Sequence, residues 1–270
     1  MFVDSHCHLN FPELRSRLDD ILQEMHAAQV SQALCISTTM DNFEDVHALA
    51  MAHEQLWCTV GVHPDEEDTR EPSVQDLLDG AARARVVGIG ETGLDYYRLN
   101  GRSIADMAWQ RERFRVHIEA ARRLDFPLVI HTRSASADTL DILREAGGFN
   151  APPEQGGLPR ARGVFHCFTE AMDVARAALD LGFYISFSGI LTFKSAADLR
   201  EVARAVPLER TLIETDSPYL APVPYRGKTN NPAYVPWVAQ CLADLHGVSV
   251  ETIAAQTTQN FHALFSDVQA

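Results

Sequence analysis

Eight short apolar segments alternate with longer segments of helical periodicity, and this alternation restricts the fold more than any other feature of the chain. The predicted strands are Phe2–His8, Ala33–Ser37, Trp57–Val62, Val86–Glu91, Pro127–His131, Gly163–Phe168, Phe183–Ser188 and Thr211–Thr215. The predicted helices are Glu13–Ala28, Asn42–His53, Pro72–Ala84, Ile104–Leu124, Ala137–Glu145, Ala171–Leu181, Ala196–Ala205, Tyr234–Leu245 and Ser249–Phe265. Eight strand–helix units predict an α/β protein with one (β/α)8 TIM-barrel domain over residues 1–270; an open doubly wound sheet is the alternative.

One segment interrupts this rhythm. Gly147–Gly163 contains five glycines and three prolines in seventeen residues, which is the composition of a solvated loop. Because it joins a helix to the following strand, a barrel would place it on the face opposite the carboxyl ends of the strands.

Composition restricts the class of protein and its compartment. The net charge of −14 makes the chain a poor passive binder of nucleic acid, although a bound metal ion can make a pocket locally positive. The five cysteines are widely spaced and form no CxxC pair, so neither a disulfide framework nor a thiolate zinc site is indicated. With no signal-like N-terminus and no membrane-length apolar run, we expect a cytoplasmic protein without membrane contact.

Ionisable side chains stand at or near the carboxyl ends of five predicted strands. They are His6 and His8 on the first strand, Glu91 on the fourth, His131 on the fifth, His166 on the sixth and Asp216 on the eighth. Each one alone has a second interpretation, as a polar residue of a connecting loop. A barrel, however, directs all strand carboxyl ends into one pocket, so we expect the six side chains to converge there.

A set of four imidazoles and two carboxylates indicates a metal site. Burying so many ionisable groups is costly unless an ion compensates them. Nitrogen and carboxylate ligands suit zinc, manganese or a similar divalent ion, and six ligands are enough for two ions bridged by one carboxylate.

The alternation of side chains along a strand predicts which residues accompany these ligands. Val87, Ile89 and Glu91 should share the inward face of the fourth strand, with the apolar residues beneath the site. Cys7 and Cys167 should point the other way, toward the helices.

Two other chemistries are disfavoured. Gly88–Gly93 matches GxGxxG, but no helix pattern begins there, so no nucleotide cofactor is predicted. The chain has no Gly-x-Ser-x-Gly motif, and the only histidines near its cysteines are assigned to metal, which leaves no covalent nucleophile.

The motifs resemble those of the TatD family of metal-dependent deoxyribonucleases. Phe-Val-Asp-Ser-His-Cys-His-Leu-Asn, Pro-Leu-Val-Ile-His-Thr-Arg-Ser-Ala and Leu-Ile-Glu-Thr-Asp-Ser-Pro-Tyr-Leu-Ala-Pro are similar to the opening, middle and last signatures of the family. Gly-Val-His-Pro, Gly-Glu-Thr-Gly-Leu-Asp-Tyr-Tyr, His-Cys-Phe-Thr and Arg-Gly-Lys-Thr-Asn-Asn-Pro also match in order. The resemblance extends from residue 2 to about residue 265 and is specific for the family rather than for a substrate.

The resemblance implies a barrel of the amidohydrolase type with two divalent ions (Mg, Mn or Zn). It implies one ion held by His6, His8, Glu91 and Asp216, and a second held by His131, His166 and the shared Glu91. Asp216 would also accept the proton of the attacking water, and the expected reaction is phosphodiester hydrolysis, exonucleolytic on DNA. The oligomeric state stays open.

Further residues are expected around this site. His63 and Arg133 are candidates for phosphate contact, with structural polar residues as the alternative, and Arg226 and Lys228 are similar candidates or plain surface charges. Asp4 shares the face of His6 and is expected to orient an imidazole.

The chain departs from the family pattern at Glu170, where the family usually has glycine. A carboxylate near the mouth of the site would weaken phosphate binding or change the choice of substrate. The Gly147–Gly163 loop also looks longer than is usual in the family.

Two alternatives from other classes stay open. One is a hydrolase of another ester with the same activated water, such as a D-aminoacyl-tRNA deacylase or a small phosphoester or amide hydrolase. The other is a metal-dependent binding module without turnover, which a complete set of ligands and a base disfavours.

Overall fold

Eight parallel strands form one sheet in sequential order, and its first and last strands meet. The computed structural model describes residues 1–146 and 158–268. The strands are β1 Phe2–Cys7, β2 Val30–Cys35, β3 Leu56–Val60, β4 Val86–Asp95, β5 Leu128–Arg133, β6 Gly163–Phe165, β7 Tyr184–Phe187 and β8 Thr211–Ile213. The amide of His8 donates to Ser217 O (2.8 Å) and that of Asp216 to His6 O (2.9 Å), which joins β1 to the segment after β8. The prediction of a (β/α)8 barrel is confirmed.

Helices follow the strands as the periodicity predicts, with small changes at their ends. They are α1 Pro12–Arg15, α2 Leu18–Ala27, α3 Phe43–Ala52, α4 Val74–Ala81, α5 Ala108–Leu124, α6 Ser136–Glu145, α7 Met172–Asp180, α8 Ala197–Ala205, α9 Val235–His246 and α10 Val250–Leu264. The helix predicted over Glu13–Ala28 is divided in two, because Arg17 leaves the helical conformation, with φ −123° and ψ 20°. The first turn of the long helix predicted from Ile104 is instead a 3-10 helix, Ala105–Met107.

Strand β4 is longer than predicted, and the extension adds a residue to the site. The sequence predicted that it ends at Glu91 and that a loop follows, but pairing with β5 continues to Asp95 opposite Arg133. The register shifts between Ile89 and Thr92, and Gly90 and Gly93 have φ angles of 155° and 123°. Only glycine adopts such angles readily, so the two glycines let the strand bend and resume.

The barrel interior is filled by apolar residues that α10 covers from below. Val3, Val87, Val129, Val164 and Leu212 pack together there with residues of the last helix, among them Phe261 and Phe265. A larger apolar layer separates the strands from the outer helices. The interior packing leaves the opposite end of the barrel, where the strands end, for polar side chains.

Two predictions of side-chain direction are wrong. Ile89 lies in the outer apolar layer rather than with Val87, because the pairing of β3 with β4 skips a residue after Cys58. Cys167 follows the end of β6 with a left-handed φ of 42°, and its Sγ lies 3.1 Å from Ser188 Oγ instead of facing the helices. Cys7 lies in the outer layer, as predicted.

The loop predicted over Gly147–Gly163 falls largely outside the described residues. Within the described part of the chain, no helix is both long enough and apolar enough to cross a membrane.

Candidate metal centre

The carboxylate of Glu91 lies at the centre of the site and is only 3% exposed. Its Oε1 atom is 2.8 Å from Nε2 of His166 and 3.4 Å from Nδ1 of His131. Its Oε2 atom is 3.4 Å from Nε2 of His6 and 3.9 Å from Nε2 of His8. Each carboxylate oxygen therefore faces a different pair of imidazoles, which suits a group shared by two cations.

Asp216 closes the site from the segment after β8. Its Oδ1 atom lies 3.7 Å from Nε2 of His6 and 3.6 Å from Nε2 of His8, and these two nitrogens are 3.3 Å apart. The residue has a left-handed backbone with φ 56°, a conformation that residues other than glycine adopt only rarely. Its amide donates to His6 O, so the neighbouring strand holds this conformation in place.

His63 also reaches this cluster, although the sequence predicted only a contact with phosphate. Its Nε2 atom is 3.4 Å from Oε1 of Glu91, and its Nδ1 atom accepts the backbone N–H of Asp65 at 3.0 Å. Burial lowers the pKa of His63 to about 3, so the ring is neutral near pH 7. With Nδ1 as the acceptor, the proton of the neutral ring lies on Nε2 and points at Glu91.

The six predicted ligands converge, and His63 joins them. Three sets of ligand atoms lie close enough together to hold a cation: His6, His8 and Asp216; His6, Glu91 and His166; and His63, Glu91 and His131. His166 stacks on the ring of His6 with the ring centres 3.8 Å apart, and its Nε2 also shares Oε1 of Glu91 with Nδ1 of His131.

The chemistry of these donors fits divalent cations. Within the described residues, neither Glu91 nor Asp216 forms an ion pair with lysine or arginine, and histidines are their only basic partners. Burial opposes ionisation of Glu91, but the neighbouring imidazoles, His166 first, outweigh it and hold its pKa well below the usual range. For Asp216, burial is outweighed by a hydrogen bond from His8, which lowers its pKa. Both side chains are therefore anionic ligands facing imidazole nitrogens.

Two further carboxylates fix the orientation of the imidazoles. Asp95 Oδ2 lies 3.0 Å from Nε2 of His131, and Glu214 Oε1 lies 3.2 Å from Nδ1 of His166. In each ring the other nitrogen faces Glu91. Carboxylates commonly orient metal-binding histidines by bonding the ring nitrogen that does not bind the metal. Asp95 was missed because β4 was expected to end before it, at Glu91.

Asp4 has a different role from the one predicted. Among the described residues its carboxylate is hydrogen-bonded to no imidazole. Its Oδ1 accepts the backbone N–H groups of Thr215 (2.9 Å) and His6 (3.2 Å), and its Oδ2 accepts the Thr215 hydroxyl (2.5 Å). Asp4 lies on the same strand face as His6, as predicted. Its side chain is short, however, and it meets the main chain of β1 and of the segment after β8. Asp4 therefore closes the barrel beneath the site.

A cavity of about 500 Å³ opens above the cluster. Arg133 lines it, as expected of a residue just past a strand end, and its guanidinium lies 3.7 Å from the ring centre of Tyr97. The aromatic side chains of Phe11 and Tyr219 also line it; Phe11 stacks on His8 at 4.8 Å, and Tyr219 is 56% exposed. Neither aromatic residue was singled out by its sequence.

Three residues that the sequence placed near the substrate lie elsewhere. Arg226 and Lys228 do not line the cavity: Arg226 stacks on Phe193 at 3.6 Å in a separate depression, and the Nζ of Lys228 is 5.5 Å from the ring centre of Tyr225. The carboxylate of Glu170 accepts the hydroxyl of Ser136, the first residue of α6, at 2.6 Å. It is therefore bonded at a helix N-terminus instead of facing the ligands.

A family model described as TatD related DNase matches residues 3–266. The metal-dependent hydrolase YcfH of Escherichia coli K12 is 46% identical over 267 residues, which cover 97% of this chain and 95% of YcfH. The chain belongs to the TatD family. A Klebsiella pneumoniae TatD protein named a 3'-5' ssDNA/RNA exonuclease is 31% identical, with 92% of this chain and 91% of that protein covered.

A solved TatD structure agrees with the fold over its whole length. The crystal structure of YjjV, a TatD homologue from E. coli K12, superposes with a TM-score of 0.87 at 28% identity, covering 98% of each chain. This TatD protein is accordingly a metal-dependent hydrolase, and its four strand-end histidines and two carboxylates are the candidate ligands.

Proposed function

We propose that this TatD protein hydrolyses phosphodiester bonds of DNA, releasing nucleotides from a strand end, with two divalent ions. The observation that carries the proposal is Glu91 between two pairs of imidazoles at the floor of a cavity that also presents Arg133. A substrate with a reacting anionic phosphoryl group suits a pocket that combines such ligands with a cationic side chain.

The candidate ligands divide between two positions on either side of Glu91. His6, His8 and Asp216 would hold one ion with Oε2 of Glu91, and His131 and His166 would hold the other with Oε1. Divalent ions in such sites lower the pKa of water and neutralise charge on phosphoryl oxygens. Magnesium, manganese and zinc all accept ligands of these types.

Asp216 is the proposed general base. Its carboxylate lies beside His6 and His8 at the floor of the cavity, and its lowered pKa keeps it ionised near neutral pH. An ionised carboxylate can take the proton of an attacking water, and the main-chain bond from Asp216 to His6 O holds it in position.

Arg133 and His63 are the proposed phosphate contacts. The Tyr97 ring beneath the guanidinium of Arg133 limits its motion while its N–H groups stay available. The Nε2–H of His63 is oriented by the bond from Asp65 to its Nδ1, so it can donate to a phosphoryl oxygen next to Glu91.

The aromatic residues at the mouth suit a terminal nucleotide. Phe11 and Tyr219 stand 6.2 Å apart, edge to face, and both line the cavity. Stacking of bases on aromatic rings is tolerant of sequence, which suits an enzyme that removes successive nucleotides. The Klebsiella relative, named a 3'-5' ssDNA/RNA exonuclease, supports the same substrate class.

An activity screen tests the proposal. Purified protein is incubated with single-stranded DNA, duplex DNA, RNA and a D-aminoacyl-tRNA, each with Mg²⁺, Mn²⁺ or Zn²⁺ and each with EDTA. We expect mononucleotides to be released from single-stranded DNA with metal and no product with EDTA. Turnover of the charged tRNA alone would identify a deacylase and contradict the proposal.

A further inference from the structure

The chain contains only two lysines, Lys194 and Lys228, and both lie in the loops that follow the last two strands of the barrel. Arg226 lies in the second of these loops. The surrounding sequence contains no carboxylate, either over residues 181–197 or over residues 217–243. In a chain of net charge −14, these loops therefore carry an isolated excess of positive charge.

The cations alternate with aromatic rings across the two loops. Arg226 stacks on Phe193 at 3.6 Å, and Lys194 lines the same depression. The next residue before Arg226 is Tyr225, whose ring lies 5.5 Å from the Nζ of Lys228 and 5.9 Å from the ring of Trp237. We call this surface the loop strip; it consists of Phe193, Lys194, Tyr225, Arg226, Lys228 and Trp237.

The charges of the strip are not neutralised by the protein. None of its three cations forms an ion pair with a carboxylate of the described residues, whereas surface arginines elsewhere, such as Arg83 with Glu44, are paired. Glu24, on α2, accepts a hydrogen bond from Asn231 of the second loop, and its other carboxylate oxygen is paired with Arg17 at 2.9 Å. The strip is therefore open to an external anion.

The strip continues from the catalytic cavity. A second cavity shares Arg133, His166 and Asp216 with the one above the cluster, and Ile190 and Leu220 line it. Each of these two residues lies three positions before a member of the neighbouring depression, Phe193 and Val223. The two loops are joined where the backbone N–H of Val223 donates to the Thr192 hydroxyl at 2.9 Å. A chain-like ligand that leaves the cavity over Leu220 would next meet Arg226 and Phe193.

We propose that the loop strip binds the part of a single-stranded nucleic acid that extends beyond the catalytic cavity. The inference rests on the proposed function and adds to it a second contact region outside the cavity. Unpaired cations beside aromatic rings suit a flexible polyanion whose bases are free to stack. Of these rings, Trp237 is the most open to a base, since it is 42% exposed. Duplex DNA, whose bases are already stacked, would use only the cations.

Binding is tested in an Asp216→Asn background loaded with Mn²⁺, so that the strand is not consumed. Fluorescein-labelled oligo-dT of 20 and of 4 nucleotides is titrated by anisotropy between 50 and 200 mM salt. The strip variant is Lys194→Gln/Arg226→Gln/Lys228→Gln. The matched control, Arg83→Gln/Arg144→Gln/Arg204→Gln, removes the same charge from the turn after α4 and from α6 and α8.

Loss of three phosphate contacts should reduce the slope of log affinity against log salt concentration by about 2. The parent, Asp216→Asn alone, should bind more tightly than the strip variant, and the ratio of their affinities should fall about 16-fold between 50 and 200 mM salt. The control should keep the parental slope. Trp237→Ala should weaken binding of the 20-mer about 5-fold or more and that of a duplex much less. The 4-mer should be less sensitive than the 20-mer to the strip variant.

Equal slopes and affinities for the strip variant and the control on the 20-mer would overturn the inference. A loss of the same size on the 4-mer would also overturn it, because the strip would then belong to the cavity. If the unsubstituted protein cleaves no nucleic acid in the activity screen, the proposed function fails, and that result is independent of the slopes measured here.

Discussion

The imidazole of His166 lies between the carboxylates of Glu214 and Glu91. Oε1 of Glu214 lies 3.2 Å from Nδ1 of the ring, while Oε1 of Glu91 lies 2.8 Å from its Nε2. The same Glu214 oxygen accepts the backbone N–H of Cys167 at 2.8 Å, so the carboxylate also holds the turn that follows β6. One buried carboxylate thus fixes both the ring and the main chain of a candidate ligand.

We expect Glu214→Gln to weaken metal binding more than it affects proton transfer. The substitution is nearly isosteric, but it removes the charge that orients His166, and loss of such a partner typically costs about 10- to 100-fold in metal affinity or activity. Titration with Mn²⁺ measures the affinity, and excess Mn²⁺ should restore most of kcat. An exposed acid, Glu251→Gln, is the control; unchanged metal affinity in Glu214→Gln would contradict the positioning role.

Metal content provides a second prediction. We expect up to two divalent ions per chain and complete loss of hydrolysis after EDTA, with recovery when Mg²⁺, Mn²⁺ or Zn²⁺ is returned. His131→Ala should lower the number of bound ions by elemental analysis, whereas His26→Ala, at an exposed position on α2, should not. Full activity in a sample shown by elemental analysis to be free of metal would exclude the proposed mechanism.

The metal ligands could be predicted from the sequence because of topology. Parallel strands closed into a barrel bring all their carboxyl ends together, so residues as far apart as His6 and Asp216 were expected at one pocket before their distances were known. The residues that orient the ligands, such as Asp95, were harder to predict. Asp95 reaches His131 only because β4 bends at its glycines and continues, which no alternation pattern specifies.

Side-chain direction beyond a strand end was the least predictable feature. Cys167 was assigned to the helix side by extending the period of β6, but the strand ends at Phe165 and the next turn is left-handed at Cys167. His63 was predicted as a phosphate contact, but its second position, with the ring directed at Glu91 by the bond from Asp65, was not predicted. Such directions depend on local turn geometry and tertiary hydrogen bonds rather than on sequence period.

The buried imidazole of His117 is expected to make the folded state sensitive to acid. Its Nε2 accepts the Val62 N–H at 2.9 Å and its Nδ1 donates to Arg113 O at 2.8 Å, so the folded state holds a neutral ring. Burial lowers its pKa from 6.5 to about 4. Between these values the unfolded chain binds a proton that the folded chain does not, so stability falls as pH falls through this window.

The expected size of this effect is about 3 kcal/mol of unfolding free energy between pH 7 and pH 4. Urea unfolding of the metal-free protein at a series of pH values measures it against His117→Gln, which is neutral throughout. The parent should lose about that much more stability than the variant on acidification. Parallel pH profiles for the two proteins would show that His117 does not titrate differently on folding.

The central claim, that Asp216 takes the proton of the attacking water, is tested most directly by kcat of Asp216→Asn at measured metal content. The variant should fold and retain an ion at the His131 side, and Asp173→Asn, on the surface helix α7, is the matched control. Because an amide cannot accept the proton, we predict a loss in kcat of about 10²- to 10⁴-fold that excess Mn²⁺ does not restore. Near-normal kcat with stoichiometric metal would contradict the account.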